Sequence, residues 1–258
     1  MTNPNPTIAS IILAAGEGTR MKSNSINKTA LKYNKKPMIQ YAVEAVNDIS
    51  DQIVIVVGAY ANSVKQALKG QPDILYSTQR HRQGTGHATQ IGLNALSKHA
   101  VQPDIILVGY GDHMMFYKPT IIQALIQEHL EQQSAITLLT TQHSNANELA
   151  WGRIIRDQQN MITKIVEQKD ATDFEKKINE INPGFYCFDY QFLKHNIGQL
   201  TPSPVTGELY LTDMVDIGCS QGKKVCGHNV PFEYVGIGVN SPEQLQQSQL
   251  LHQQLHHA

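Results

Sequence analysis

Short apolar runs alternate with longer amphipathic segments along the first half of the chain. The runs are rich in Ile and Val and are followed by turns that contain Gly, which predicts buried strands. Between them, apolar residues recur at helical spacing. The predicted strands are residues 8–14, 52–57 and 104–108, and the predicted helices are residues 37–47, 59–69, 87–96 and 119–132. This alternation predicts an α/β fold with a mixed, mostly parallel sheet and helices on both faces.

The pattern changes after Ser134, where strand-like segments follow one another with fewer helices between them. These segments are residues 135–141, 153–157, 162–167, 180–188 and 223–230. Because no Ser/Gly/Pro-rich linker divides the chain, we expect an extension of the same sheet within one domain of residues 1–240. The tail, residues 241–258, is Gln-rich with Leu at helical intervals and predicts a helix packed on the surface or on a partner.

Composition narrows the class of protein. Of 258 residues, 41% are hydrophobic and 17% are charged, as in globular proteins, and the net charge of −1 gives no basic footprint for nucleic acid. Three cysteines without a C-x-x-C pair are too few for a disulfide framework. The polar start lacks the pattern of a signal peptide. No apolar run approaches the length of about 18 residues that a membrane-spanning helix needs. We therefore expect a cytoplasmic protein that does not span a membrane.

The segment after the first predicted strand has the features of a phosphate-binding loop. Gly16 and Gly18 allow a sharp turn that presents backbone N–H groups to a phosphate chain. The small side chains of Ala14 and Ala15, next to Leu13, leave room for a flat ligand at the end of the strand. An ordinary turn between a strand and a helix also fits these residues when they are taken alone.

Two cations follow the glycines. Arg20 offers a planar fork of donors, and Lys28 offers a point charge. A Walker loop would end in Gly-Lys-Ser/Thr, which is missing here, and a dinucleotide fingerprint would need Gly or Ala where Met21 stands. The loop therefore predicts a phosphate ligand of another kind.

Nine segments, in order along the chain, resemble the nucleoside-diphosphate-sugar pyrophosphorylases. Within that family they are most similar to the N-terminal uridylyltransferase domain of the bifunctional N-acetylglucosamine-1-phosphate uridylyltransferases/acetyltransferases. The segments are LAAGEGTRM (13–21), KPM (36–38), QGTGHA (83–88), YGD (110–112), GRI (152–154), IVEQKDA (165–171), EIN (180–182), GELYLTD (207–213) and GVN (238–240).

The resemblance implies a Rossmann-like nucleotidyltransferase fold and a Mg²⁺-dependent reaction of UTP with N-acetylglucosamine-1-phosphate. The products would be UDP-N-acetylglucosamine and pyrophosphate, and the resemblance implies a role in nucleotide-sugar biosynthesis for the cell envelope. A nucleotide-binding half would span about 7–133 and a sugar-binding half about 134–240. The bifunctional relatives continue into a β-helix of hexapeptide repeats, which this sequence lacks, so we expect no acetyltransferase activity. The tail helix is a candidate for self-association or for binding a partner.

The resemblance also assigns site residues. A side-chain amide such as that of Gln79 offers a donor and an acceptor to uracil, and Mg²⁺ prefers oxygen ligands. The implied nucleotide contacts are Leu13, Ala14, Ala15, Gly16, Gln79, Gly84 and Thr85, and the implied sugar contacts are Tyr110, Gly152, Glu167 and Asn182. Arg20 and Lys28 would hold the triphosphate as catalytic residues, and Asp112 and Asn240 would bind the metal.

Several of these residues also have simpler interpretations. Thr85 and Asn240 could be helix caps, and Asp112 and Asn182 could be turn residues. The histidines at positions 81, 87 and 113 lack metal-ligand spacings with acidic partners, so we assign them no function.

The sequence departs from the family at four places beside the motifs. Asn27 replaces a proline before Lys28, and His113-Met114-Met115 replaces a residue followed by proline after Asp112. Pro183 follows Asn182 where Thr or Ser is usual. Ser241-Pro242 follows Asn240 where a polar residue and arginine are usual. These departures leave three alternatives open: another sugar-1-phosphate such as glucose- or N-acetylgalactosamine-1-phosphate, another nucleotide, or a catalytically silent sensor of nucleotide sugars.

Overall fold

The structure is a computed structural model that describes residues 6–18, 21, 25–71 and 73–257. The strands are β1 (Ile8–Ala14), β2 (Lys32–Tyr33), β3 (Lys36–Pro37), β4 (Gln52–Val57), β5 (Ile74–Thr78), β6 (Ile105–Tyr110), β7 (Ile136–Gln142), β8 (Gly152–Arg156), β9 (Ile162–Val166), β10 (Glu180–Asn182), β11 (Tyr186–Asp189) and β12 (Val225–Asn229). The helices are α1 (Met38–Asn47), α2 (Ala61–Ala67), α3 (Thr85–Lys98), α4 (Pro119–Gln132), α5 (Ala146–Leu149), α6 (Tyr190–Asn196), α7 (Asp213–Ser220) and α8 (Pro242–His257).

One large sheet runs through both halves of the chain in the order β5-β4-β1-β6-β11-β7-β10-β8-β9, and β12 pairs with β7. The strands β5, β4, β1 and β6 are parallel, whereas β11, β7, β10, β8 and β9 pair antiparallel along that order. The chain crosses from one side of β1 to the other, since β4 and β6 flank it. In open α/β sheets, such a switch point is where ligands bind, at the carboxyl ends of the strands.

The sheet is covered on both faces. Alternate residues of β1 belong to two separate apolar clusters: Ile8 and Ile12 pack with α1, α2 and α4, and Ile11 and Leu13 pack with α3, α6 and α7. Every residue of β1 is buried, and removing each large side chain from water stabilises the fold by about 1.5–3 kcal/mol. The expected α/β fold with a mixed sheet between helices is therefore confirmed.

One predicted strand is wrong. Residues 180–188 form two strands, β10 and β11, which pair with successive segments of β7: β10 pairs with Thr141–Gln142 and β11 with Ile136–Leu138. Pro183 has no N–H to donate to a ladder, and Gly184 has φ +82°, which ends the extended run. The Oδ1 atom of Asn182 accepts a bond from the Gly184 N–H at 3.0 Å and fixes this turn. A proline–glycine pair inside the apolar run was the signal for the break.

The pattern also missed β5, α6 and α7. These elements have only 5, 7 and 8 residues, too few for either period to stand out in the sequence. The third predicted strand is displaced toward its carboxyl end, from residues 104–108 to Ile105–Tyr110. The fourth predicted helix has the bounds expected for it, Pro119–Gln132, with proline in its first turn.

The tail forms the predicted helix, α8, and it packs against its own chain. The Tyr33 hydroxyl donates to the Ser248 carbonyl at 2.8 Å, and Leu245 and Leu251 pack on a cluster that includes Phe116. Leu250 is exposed on the other side of the helix. Within the described residues, no helix combines the length and apolarity that crossing a bilayer requires.

Candidate active site

A cavity of about 320 Å³ opens at the carboxyl ends of β1 and β6. We call it the first lobe. Its walls include the loop after β1, the turn before α3 and the residues after β6. Among the lining residues are Leu13, Ala14, Ala15, Gly16, Lys28, Gln79, Gly84, Thr85, Tyr110, Asp112 and Asn240. All the predicted nucleotide contacts therefore line one cavity at the switch point of the sheet.

Lys28 joins three distant parts of the chain in this cavity. Its Nζ atom donates to Asn240 Oδ1 at 2.7 Å and forms an ion pair with Asp112. The lysine and aspartate side chains are 12% and 19% exposed, so the pair faces the cavity without being fully solvated. The oxygens of Asp112 and Asn240 thus converge on a single cation.

The sequence around Asn240 explains why its side chain is available. The Ser241 hydroxyl accepts from the Gln244 N–H at 3.2 Å, and Gln244 Oε1 accepts from the Asn240 N–H at 2.9 Å. Ser241 and Gln244, with Pro242 in the first turn, thus cap the start of α8 without using the side chain of Asn240. Ser241 is therefore the helix cap, and the Asn240 side chain remains directed at Lys28.

Gln79 is held in place beside the turn that begins α3. It is buried, and its Nε2 atom donates to the Gly84 carbonyl at 3.0 Å and contacts His87 Nδ1 at 3.1 Å. Both amide hydrogens are thereby engaged, which leaves Oε1 to pair with a ligand. His87, whose spacing in the sequence indicates no function, orients this amide.

The turn at Gly84 also fastens the second half of the chain to the first. Gly84 has φ +99°, and a Cβ added there would lie 2.4 Å from the Leu209 carbonyl. Gly86 donates to that same carbonyl at 2.8 Å. The Thr85 hydroxyl accepts from the Leu211 N–H at 3.0 Å. Gly84 occupies the cap position of α3, so Thr85 is the first residue of the helix and not its cap.

A second cavity of about 360 Å³ adjoins the first. We call it the second lobe. Its walls include the four predicted sugar contacts, Tyr110, Gly152, Glu167 and Asn182, together with Trp151, Gln168 and Tyr210. Thr85, Tyr110, Asp112, Glu208 and Asn240 line both lobes. The predicted metal ligands therefore lie in the wall that the two lobes share.

Glu167 is an unusual carboxyl group in the second lobe. Burial raises its pKa from 4.5 to about 7, although a bond from the Thr212 hydroxyl at 3.0 Å favours the charged form. The nearby carboxylates of Asp213, Asp170 and Glu208 raise the pKa further. A carboxyl group poised near neutral pH can accept from a ligand hydroxyl or donate to it.

Asn182 is largely engaged within the protein. Its Nδ2 atom donates to the Tyr186 hydroxyl at 2.6 Å, and its Oδ1 atom accepts from Gly184. One amide hydrogen and one lone pair remain for a ligand. The side chain is therefore a rigid part of the wall, fixed by the turn that separates β10 from β11.

His113, which follows Asp112, lies in the wall of the second lobe. Its ring lies 4.4 Å from the Trp151 ring, measured between centroids. Burial lowers the pKa of His113 to about 4, so the imidazole is neutral near pH 7. Its Nε2 atom is buried without a hydrogen-bond partner in the part of the chain that the structure describes.

Other contributors to the site were missed at the sequence level. Arg82 lines the first lobe and pairs with Glu17 at 2.7 Å. The fully buried Arg153 bonds Asn147 and Gln168 and so supports the segment next to Glu167. Arg82, Glu17 and Arg153 lie in or directly beside matched segments, which was the available signal. The predicted catalytic residue Arg20 lies outside the described residues.

Comparison with known proteins finds relatives over most of the chain. The nucleotidyl transferase family profile matches residues 9–233. The bifunctional protein GlmU of Caldicellulosiruptor saccharolyticus is 37% identical over 237 residues, which are 91% of this chain and 50% of that protein. The bifunctional protein GlmU of Geotalea daltonii is 35% identical over 239 residues, 92% of this chain and 51% of that protein. The chain thus spans about half the length of these relatives.

A solved structure shows the same fold. It is a Bacillus anthracis protein assigned as a glucose-1-phosphate thymidylyltransferase, which superposes with a TM-score of 0.75 at 22% identity and covers 95% of each chain. The matched residues include the end of β1, the turn before α3, the end of β6 and most of the second lobe, whereas Gly238, Asn240 and Gln244 lie beyond the match. The chain therefore belongs to the nucleotidyl transferase family.

Proposed function

We propose that this chain transfers a uridylyl group from UTP to N-acetylglucosamine-1-phosphate, giving UDP-N-acetylglucosamine and pyrophosphate. The observation that carries the proposal is the wall shared by the two lobes, which holds Asp112 and Asn240 with Lys28 against them. A triphosphate in the first lobe and a sugar phosphate in the second would meet at this wall. Family membership and the GlmU relatives support the same reaction class.

The proposed reaction requires that the substrates be positioned and their negative charge neutralised, and it does not require a general base. An oxygen of the sugar phosphate forms a bond to the α-phosphorus of UTP, and the bond from that phosphorus to the β-phosphate oxygen breaks. The attacking phosphate monoester is mostly dianionic at neutral pH because its second pKa is about 6. Lys28 would neutralise charge on the triphosphate, and backbone N–H groups of the Gly16 loop would orient it.

The donor set fits Mg²⁺. One carboxylate oxygen and one amide oxygen converge on the Lys28 ammonium, which marks the position of a cation between them. In the described residues, no group of three or more His, Cys, Asp and Glu side chains could form a cage. Mg²⁺ favours such sparse oxygen sites, since phosphates and water complete its shell. When bound by Asp112 and Asn240, it would supply Lewis-acid stabilisation of the phosphate oxygens.

Gln79 would recognise the base of the nucleotide. With both of its amide hydrogens engaged, Oε1 would accept the N3–H of uracil. Thymine presents the same N3–H, and the Bacillus anthracis neighbour is assigned as a thymidylyltransferase. Thymidylyl transfer is therefore the second candidate, and it would be distinguished by tolerance of the 5-methyl group and of the missing 2′-hydroxyl.

Pyrophosphate release tests these proposals. The purified chain is incubated with Mg²⁺ and a matrix of nucleoside triphosphates and sugar-1-phosphates. We expect the highest kcat/KM for UTP with N-acetylglucosamine-1-phosphate. A higher value with dTTP and glucose-1-phosphate would favour the second candidate. Saturable UTP binding without turnover for any pair would overturn both and favour a nucleotide-sugar sensor.

Two variants assign the site residues. Asp112→Ala and Lys28→Ala should each lower turnover by about 10² or more, because the first removes a proposed Mg²⁺ ligand and the second removes the cation that would neutralise the triphosphate. Lys164→Ala is the matched control. Lys164 lines neither lobe and forms an ion pair with Glu175, with 3.3 Å between the charged atoms. Near-normal turnover by either site variant would contradict the assignment.

A further inference from the structure

Asn27 is fully buried, and both the nitrogen and the oxygen of its side-chain amide form hydrogen bonds. Its Nδ2 atom donates to the carbonyl oxygens of Ala14, Gly16 and Ala59 at 3.2, 2.9 and 2.9 Å. Its Oδ1 atom accepts from the N–H and the hydroxyl of Thr29 at 3.0 and 2.8 Å. An amide has two N–H groups, so three carbonyl oxygens share them. The side-chain amide is saturated by hydrogen bonds within the protein, all but one of which join it to the backbone.

These bonds set the direction of the peptide groups in the glycine loop. In a trans peptide, the carbonyl oxygen and the following N–H point to opposite sides. Because the Ala14 and Gly16 carbonyls point toward Asn27, the N–H groups of Ala15 and Glu17 point away from it. Ala14, Ala15 and Gly16 line the first lobe. Asn27 therefore orients the loop from behind.

A second loop supports the same backbone. The Asn27 N–H donates to the Ser63 hydroxyl at 2.9 Å, and that hydroxyl donates to the Tyr60 carbonyl at 2.7 Å. A Cβ added to Gly58 would lie only 2.4 Å from the Ala15 carbonyl, so the loop after β4 runs directly against the glycine loop. Asn27 stands where these two loops meet.

Asn27 also fixes the start of the turn that carries Lys28. Its Oδ1 atom caps the 3₁₀ turn Lys28–Ala30 through the Thr29 N–H. A Cβ added to Gly18 would lie 2.8 Å from Lys28 Cβ, so the lysine stem packs on the glycine loop. One amide therefore contacts both the loop that would hold the phosphates and the turn that supplies the cation.

We propose that Asn27 is a positioning residue, whose buried amide holds the glycine loop and Lys28 in register for the triphosphate. The proposal rests on the proposed function, since it names a determinant of the same site. Asn27 does not border the cavity and acts through Gly16 and Lys28. Catalysis by orientation is sensitive to displacements of about 1 Å, which can cost about 10²-fold in rate.

Two substitutions separate the bonds that Asn27 makes to the glycine loop from those that it makes to Thr29. Asn27→Ala removes every side-chain bond, and we expect kcat/KM for UTP to fall about 10²-fold. Asn27→Asp keeps an acceptor for Thr29 but places a carboxylate against three carbonyl oxygens. If the amide hydrogens orient the glycine loop, Asn27→Asp should lose at least as much as Asn27→Ala. If Asn27→Asp retains wild-type kcat/KM, only the cap on the lysine turn matters and the proposal is wrong.

Asn196→Ala is the matched control for simple loss of a buried amide. Asn196 is also buried, donates to the Phe192 carbonyl at 2.9 Å, and accepts from Gln199 and Gln221. It lies at the end of α6, outside both lobes. We expect Asn196→Ala to lower the melting temperature while kcat and KM stay within about twofold of wild type. An equal kinetic loss in both alanine variants would overturn a positioning role.

Calorimetric titration with UTP and Mg²⁺ separates this proposal from the proposed function. If the wild-type chain binds UTP but turns over no substrate pair, the function fails, and a tenfold weaker affinity in Asn27→Ala still supports the positioning role. If the wild-type chain is active and Asn27→Ala matches it in affinity and turnover, the positioning role alone fails. Should Asn27→Ala not fold, Ser63→Ala removes only the backbone support, and we expect a two- to fivefold loss in UTP affinity; no loss would count against the proposal.

Discussion

Replacing Glu167 by glutamine should stabilise the fold at alkaline pH. The carboxyl group has its pKa raised from 4.5 to about 7, chiefly because burial disfavours its charge. Glutamine has almost the same shape, keeps an oxygen that accepts from the Thr212 hydroxyl, and carries no charge near Asp213, Asp170 and Glu208. The substitution therefore removes a buried charge, together with its attraction for the Arg153 guanidinium.

The magnitude follows from the two protonation equilibria. Between pH 4.5 and pH 7 the folded chain keeps the Glu167 proton and the unfolded chain releases it, so the free energy of unfolding falls as pH rises through this window. At pH 8 the full difference corresponds to about 3.4 kcal/mol, at 1.36 kcal/mol per pKa unit. Glu167 also borders the water of an open cavity, and screening reduces this figure, so we expect a gain of about 2 kcal/mol.

Urea unfolding at pH 5 and pH 8 measures the effect. Glu167→Gln should have a higher midpoint than wild type at pH 8, and most of the gain should disappear at pH 5, where the folded wild-type carboxyl is protonated. Glu175→Gln is a control of opposite sign, because hydrogen bonds from Thr172 lower the pKa of Glu175. That control should lose stability at pH 8. No gain for Glu167→Gln at pH 8 would refute the argument from burial.

The same variant should be a poorer enzyme. A sugar hydroxyl that donates to the Glu167 carboxylate would meet a weaker, neutral acceptor in glutamine. We expect kcat/KM for the sugar-1-phosphate to fall about tenfold while KM for UTP stays within about twofold. A site that sacrifices stability for function is expected to show opposite changes in stability and activity.

Three further substitutions test separate features. Tyr190→Phe removes a buried hydroxyl that has no hydrogen-bond partner in the described part of the chain, and it should raise the free energy of unfolding by about 1 kcal/mol in urea titrations. Gly84→Ala should weaken UTP binding at least tenfold by calorimetry, because φ +99° and a Cβ 2.4 Å from the Leu209 carbonyl force the turn to move. Lys28→Met should raise the affinity for Mn²⁺ without nucleotide, measured by electron paramagnetic resonance, because the ammonium no longer occupies the oxygens of Asp112 and Asn240.

The sequence predicted the elements whose signals are local. The strand at residues 8–14 and the helix at residues 119–132 have the bounds expected for them, because the strand is a continuous apolar run and the helix begins at a proline. The break at Pro183 was also local, but the apolar residues on both sides outweighed it. Short elements such as β5 and α7 have too few residues for a period to be read.

The site residues were predicted from the family resemblance more than from local sequence patterns. Asp112 and Asn240 each fit a turn or a cap when taken alone, and only the fold shows that both contact Lys28. The role of Asn27 could not be predicted, since its amide bonds carbonyl groups 11, 13 and 32 residues away. Nothing in the neighbouring sequence distinguishes a buried hub from a loop asparagine.

The contact of Lys28 with Asn240, 212 residues apart, also bears on the order of events in the site. Without substrate, the charge of Lys28 is balanced by that of Asp112, so the two side chains together carry no net charge. A triphosphate brings several negative charges and competes with Asp112 for the ammonium. Movement of Lys28 toward the phosphates would leave two oxygens for a cation that arrives with the nucleotide. Metal binding should therefore depend on nucleotide in the wild-type chain and become independent of it in Lys28→Met.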